Sequence, residues 1–124
     1  MKKLIALFLF TLVISTSCKK SDDNTNSEIV GEWVSTESLA DPGNGSGTWR
    51  SITDDQRTIL VIKSNGKITG STTYKSYKVI DGQTIELKAI DGDLFQRSYT
   101  IVGNQLTIMG GCIEACGLRY TKTK

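Results

Sequence analysis

Tyr77-Lys78-Val79-Ile80-Asp81-Gly82-Gln83-Thr84-Ile85 and, further along, Tyr99-Thr100-Ile101-Val102-Gly103-Asn104-Gln105-Leu106-Thr107 share one pattern. In each, apolar and polar side chains alternate up to a short glycine-containing turn and alternate again beyond it. A period of two places every second side chain on the same face of an extended strand. The turns Asp81-Gly82 and Gly103-Asn104 hold residues that tolerate positive φ, as tight hairpins require. Each stretch is therefore predicted as a β-hairpin. Two copies are too few for a solenoid, so they read as repeated hairpin chemistry within one sheet.

Outward from these hairpins the pattern continues. Runs of β-branched and aromatic residues alternate with Gly, Asn and Asp turns, and no stretch keeps a helical period over three turns. Strands are expected at Ile29 to Glu37, Thr48 to Thr53, Thr58 to Lys63, Lys67 to Tyr74, Ser76 to Ile80, Thr84 to Ala89, Phe95 to Val102, Gln105 to Met109 and Gly117 to Thr123. Lys67 to Ile80 reads equally well as one long bent strand. The only proline, Pro42, lies in Ala40-Asp41-Pro42-Gly43-Asn44-Gly45-Ser46-Gly47, a loop by composition. Alternation points Tyr77, Val79, Ile85, Leu87, Tyr99, Ile101, Leu106, Ile108, Leu118 and Tyr120 inward, opposite Lys78, Glu86, Lys88, Thr100, Thr107, Arg119 and Thr121. Burial on one face and tight turns imply an all-β antiparallel meander of about eight strands. In so small a domain, closing the sheet into a barrel removes its edges.

The first part of the chain reads as an address. Met1-Lys2-Lys3 is a basic start, and Leu4 to Ile14 is apolar apart from Thr11, too short for the roughly 20 residues of a spanning helix. Residues 1–17 are therefore expected to be a signal peptide. Cleavage before Cys18 takes Lys2 and Lys3 from the 15 basic side chains and none of the 13 acidic ones, so the exported chain is neutral. A neutral domain has no electrostatic reason to bind nucleic acid. Lys19-Lys20-Ser21-Asp22-Asp23-Asn24-Thr25-Asn26-Ser27 has nothing apolar to bury, so residues 18–28 are expected to be a disordered tether and 29–124 the folded domain.

Thr16-Ser17-Cys18 resembles the end of a bacterial lipobox, with Ser15 at the aliphatic position and Ile14 one step back. The resemblance implies diacylglyceryl attachment at Cys18, with palmitate-type chains holding the protein on a membrane. Cys-Lys-Lys-Ser-Asp-Asp also resembles the start of Bacteroidetes-type lipoproteins, in which acidic residues after the cysteine can direct export to the cell surface. The localisation implied is the outer membrane of a cell envelope, facing either the periplasm or the exterior. Gly31-Glu32-Trp33 at the first strand, followed by a meander, resembles lipocalin-like domains. That resemblance implies a barrel closed at one end by Gly31 and Trp33, with Arg119 of the last strand packed on the tryptophan. The competing reading makes Trp33 an ordinary core aromatic and Arg119 a solvated side chain.

Candidate chemistry is sparse. Histidine is absent, which removes the commonest metal ligand and general base. Once Cys18 is lipidated, Cys112 and Cys116 remain as an even pair expected to form a structural disulfide, since a spacing of three with no further cysteine pair does not suit a metal. Beyond the tether, Asp54-Asp55 and Asp91-Gly92-Asp93 are the only close carboxylate groups and read as polar turns, too few in ligands for calcium. The expectation is no enzyme, no cofactor and no metal. It leaves a lipid-anchored barrel that binds a small hydrophobic ligand, a protein-binding module such as a protease inhibitor, or a structural envelope domain.

Overall fold

The computed structural model describes residues 27–124. The expected signal peptide, the expected lipidation site Cys18 and the tether as far as residue 26 lie outside the described residues. Nine strands follow: β1 Gly31–Ala40, β2 Thr48–Ser51, β3 Ile59–Ile62, β4 Ile68–Thr69, β5 Tyr74–Val79, β6 Thr84–Ala89, β7 Leu94–Val102, β8 Gln105–Met109 and β9 Cys116–Lys122. Every pairing is antiparallel. The order across the sheet is β4-β3-β1-β9-β8-β7-β6-β5, with β2 attached to β1 alone. β4 and β5 then approach each other through an antiparallel bridge between Lys67 and Ser76 and through the Tyr77 N–H, which donates to Gly66 O at 2.9 Å. The sheet is thus nearly closed into a barrel of the all-β, antiparallel kind that the alternation implies.

The last strand meets the first along the longest seam. β1 and β9 pair from Trp33 with Lys122 to Ala40 with Cys116, interrupted by a register shift between Ser35 and Glu37. A bulge of this kind bends a strand and sharpens its twist. On the other edge of β1, the half before the bulge pairs with β3 and the half after it with β2. Ser35, among the described residues the one buried polar side chain that is not aromatic, secures the junction: its Oγ accepts the Thr58 N–H at 2.8 Å, and its own N–H donates to Thr58 O at 2.9 Å.

Inside lie Trp33, Leu60, Ile62, Ile68, Tyr77, Val79, Ile85, Leu87, Tyr99, Leu106, Ile108 and Tyr120, with Ile101 and Leu118 packed against them. These include all ten residues that alternation directs inward. Two local expectations differ from the structure. Ile29 belongs to a turn beneath the barrel, not to the first strand, and is fully buried there; the turn takes in Ser27 and Glu28 from the end of the expected tether. The expected strand Lys67 to Tyr74 shrinks to β4. Gly70 has φ +77° beside Ile59, and the Ser71 hydroxyl accepts the N–H groups of Thr73 and Tyr74, so the chain turns there. That turn also removes the alternative of one continuous strand from Lys67 to Ile80.

Strand direction gives the barrel two distinct ends. The 63–66, 80–83 and 103–104 turns gather at one, with Trp33 and both ends of the described chain. The 41–47, 70–73 and 90–93 connections and the disulfide loop 110–115 gather at the other.

Candidate functional site

The tryptophan end is plugged. The Trp33 ring is fully buried, and its indole N–H donates to Ile29 O at 2.7 Å. Gly31, at φ +147°, lets the C-terminus cross beneath: a Cβ there would stand 2.5 Å from both Lys122 Cε and Lys124 O. The cation over Trp33 is Lys122, whose Nζ lies 5.1 Å from the ring centroid. Arg119 is not there, which corrects the expected pairing of Arg119 with Trp33. The register explains why: Lys122 directly faces Trp33, whereas Arg119 faces Glu37 on the outer side of the sheet. There Arg119 forms an ion pair with Glu37 at 3.1 Å and stacks 3.9 Å from the ring centroid of Trp49, which β2 lays over it. Nor is Arg119 simply solvated, since its side chain is about 30% exposed.

At the disulfide end the barrel opens into a cavity of about 310 Å³. Its wall comes from Ser38 and Leu39 of β1, Tyr74 of β5, Arg97 of β7, Ile108 and Met109 of β8, and Cys116, Gly117, Leu118 and Tyr120 of β9, with Gly110 at the rim. Most of this lining is apolar. Cys112 and Cys116 form a disulfide that ties the loop from β8 to the start of β9. The cystine also shapes the rim, because a Cβ on Gly110 would strike Cys116 Sγ.

Ser38, Tyr74, Arg97 and Tyr120 break the apolar wall with polar side chains. Tyr120 is buried, hydrogen-bonds the Thr58 side chain and lies near the phenol of Tyr74; burial, with a smaller contribution from Tyr74, pushes its ionisation well above the usual phenol range. Arg97 faces inward, since its direct partner across β6 and β7 is Ile85, which is fully buried. The guanidinium lies 4.9 Å from the Phe95 ring centroid and donates through Nη1 to Gln96 O at 3.0 Å. Gly111 makes room for it: a Cβ there would come within 2.7 Å of Arg97 Nη1. Arg97 was not among the residues that sequence reasoning singled out. The signal was present, because it stands two residues before the inward Tyr99 on the same strand.

The rest of this end is a stiffened rim. Asp41 Oδ1 accepts the N–H groups of Gly43, Asn44 and Gly45, and Oδ2 accepts that of Gly47 at 2.9 Å. These bonds, that from Gly47 foremost, hold the Asp41 carboxyl below its usual range. Ile113 is fully exposed at the tip of the disulfide loop, and Ile90 and Leu94 are exposed in the 90–94 turn region. The other carboxylates singled out from the sequence are local turn groups. Asp54 pairs with Arg57 at 3.0 Å in a single 3₁₀ turn, and Asp91 accepts the Asp93 N–H at 3.1 Å. Neither group lines the cavity.

Comparison of the chain with protein-family models, curated proteins and solved structures gives no match. The reading of the site therefore rests on the geometry of the chain itself.

Proposed function

We propose that the protein is a lipid-anchored lipoprotein of a bacterial cell envelope, with a lipocalin-like barrel that binds a small hydrophobic ligand at its disulfide end. One observation carries the binding reading: a barrel filled by side chains at the tryptophan end leaves an apolar-lined cavity of about 310 Å³ at the other. Binding pockets for small molecules span about 300–1,000 Å³ and combine apolar walls with a few polar groups. This one stands at the lower limit, so it suits a compact molecule in preference to a long-chain lipid.

Chain direction supports the anchored arrangement. The described chain begins at the tryptophan end, so a lipid on Cys18 would hold that end toward the membrane and turn the cavity away from it. Exposed Ile113 favours the second reading, a protein-binding module that uses the same rim. No enzymatic role is proposed, because the cavity wall brings together no nucleophile and base.

Native mass spectrometry of the purified mature domain after exposure to cell extracts that contain both lipids and small metabolites tests the binding reading. The expected result is a retained low-mass ligand lost on Leu118→Trp, which fills the cavity. A domain that emerges ligand-free from every extract would refute it. Metabolic labelling with a palmitate analogue tests the anchor: label on the wild type but not on Cys18→Ala is expected, and equal labelling of both would overturn it.

A further inference from the structure

Arg97 is a cation on the inner face of a barrel strand. Arginine buries its stem easily, but its guanidinium favours a carboxylate or another anion where the surroundings are apolar. Among the described residues, no carboxylate forms an ion pair with Arg97. Its protein contacts are a backbone carbonyl and the Phe95 ring. Glu114, the acid of the adjacent disulfide loop, lies on the other side of that loop against Gly43. The guanidinium thus keeps donors to spare beside an apolar cavity.

We propose that the ligand carries a carboxylate and that Arg97 binds it, with the apolar body of the molecule against Ile108 and Leu118. This deepens the ligand-binding reading above and rests on it. A single unpaired guanidinium supplies one positive charge, which matches a monoanion; a phosphate dianion would call for more. The size of the cavity limits the body to a short chain or a single ring system. Gly111 contributes by absence of a side chain, since any Cβ at that position would press on Arg97 Nη1 and turn the donors away.

The test uses octanoate and octan-1-ol, which share an alkyl chain and differ in charge. Amide NMR titrations of the mature domain follow Ile108, Leu118 and Tyr120. Charge-assisted hydrogen bonding should favour octanoate by roughly tenfold or more. Arg97→Gln should abolish that preference and leave octan-1-ol affinity within about twofold, while Arg97→Lys should retain part of it; unchanged peak dispersion in both variants confirms that they fold. Equal affinity of the wild type for both probes, or an octanoate preference that survives Arg97→Gln, would refute the role of Arg97 while leaving the cavity a ligand site. Failure of both probes to shift the cavity amides would overturn this proposal and the ligand-binding reading together.

Discussion

Replacing Trp33 with alanine removes a fully buried ring together with the indole N–H that donates to Ile29 O at 2.7 Å. Truncating a buried Trp or Phe to Ala costs about 3–5 kcal/mol through lost burial and the cavity left behind. An Ile29 carbonyl left without its donor adds about 1 kcal/mol, the lower end of the range for a buried unsatisfied group. The expected loss is therefore about 4–6 kcal/mol, against a total stability of about 5–15 kcal/mol for an ordinary domain. Since Trp33→Ala stands close to the unfolding limit, Trp33→Phe provides the graded control. It keeps most of the ring and loses the N–H, and should cost about 1–3 kcal/mol. Trp49→Ala gives the contrast. That ring is half-buried on the outer side of the sheet, where it covers Arg119 at 3.9 Å, and its loss should cost about 1–2 kcal/mol from the cation–π contact and the area uncovered. Urea melts followed by far-ultraviolet circular dichroism measure all three, because the midpoint is read from the backbone signal that every variant retains. A loss in Trp49→Ala equal to that in Trp33→Ala would refute the assignment of Trp33 as the plug.

The disulfide and the buried phenols give two further expectations. Cys112 and Cys116 enclose a short loop, four residues apart in sequence, so the double serine variant should lose only about 2 kcal/mol by the chain-entropy relation; a loss above about 4 kcal/mol in the same melts would show that the cystine supports more than the rim. Burial raises the ionisation of Tyr77 and Tyr120 above the ordinary value of 10.0. The folded state therefore favours the neutral phenol, its advantage is whole below pH 10.0, and stability falls as pH climbs through the raised values. Phenolate absorbance from Tyr77 and Tyr120 should accordingly appear only above pH 10.0, together with loss of β-structure. Ionisation of Tyr77 and Tyr120 at pH 10.0 with the fold intact would contradict their burial.

The hairpins were legible because their causes are local. Alternation across Asp81-Gly82 and Gly103-Asn104 specifies face and turn together, and β5 to β8 follow it. Contacts across the sheet were not legible to the same degree. The bulge between Ser35 and Glu37 changes which residues of β1 share a face, so the alternation that buries Trp33 and Ser35 breaks there and Glu37 turns outward to Arg119. No local pattern announces that extra residue. Gly70 gave a weak signal of its own, being a lone glycine in a stretch otherwise rich in β-formers. Arg97 was hidden by its charge: polarity marks a residue as outward, although its place two residues before Tyr99 and its buried partner Ile85 across the ladder both put it on the inner face.

β2 stands outside the ring of strands, attached to β1 alone. The circuit closes through β1, β3 and β4 whether or not that short strand is present, so its length is free of the geometric rule that links strand number, tilt and stagger in a closed barrel. Residues 48–57, between the braced 41–47 rim and Thr58, therefore form an excursion whose size can vary without reopening the cylinder. What such variation would change is the outer wall, because the excursion carries Trp49, and with it the cover over Arg119. The chain thus keeps its interior and one patch of its exterior under separate control, and new surface can be added at that site while the barrel retains its dimensions.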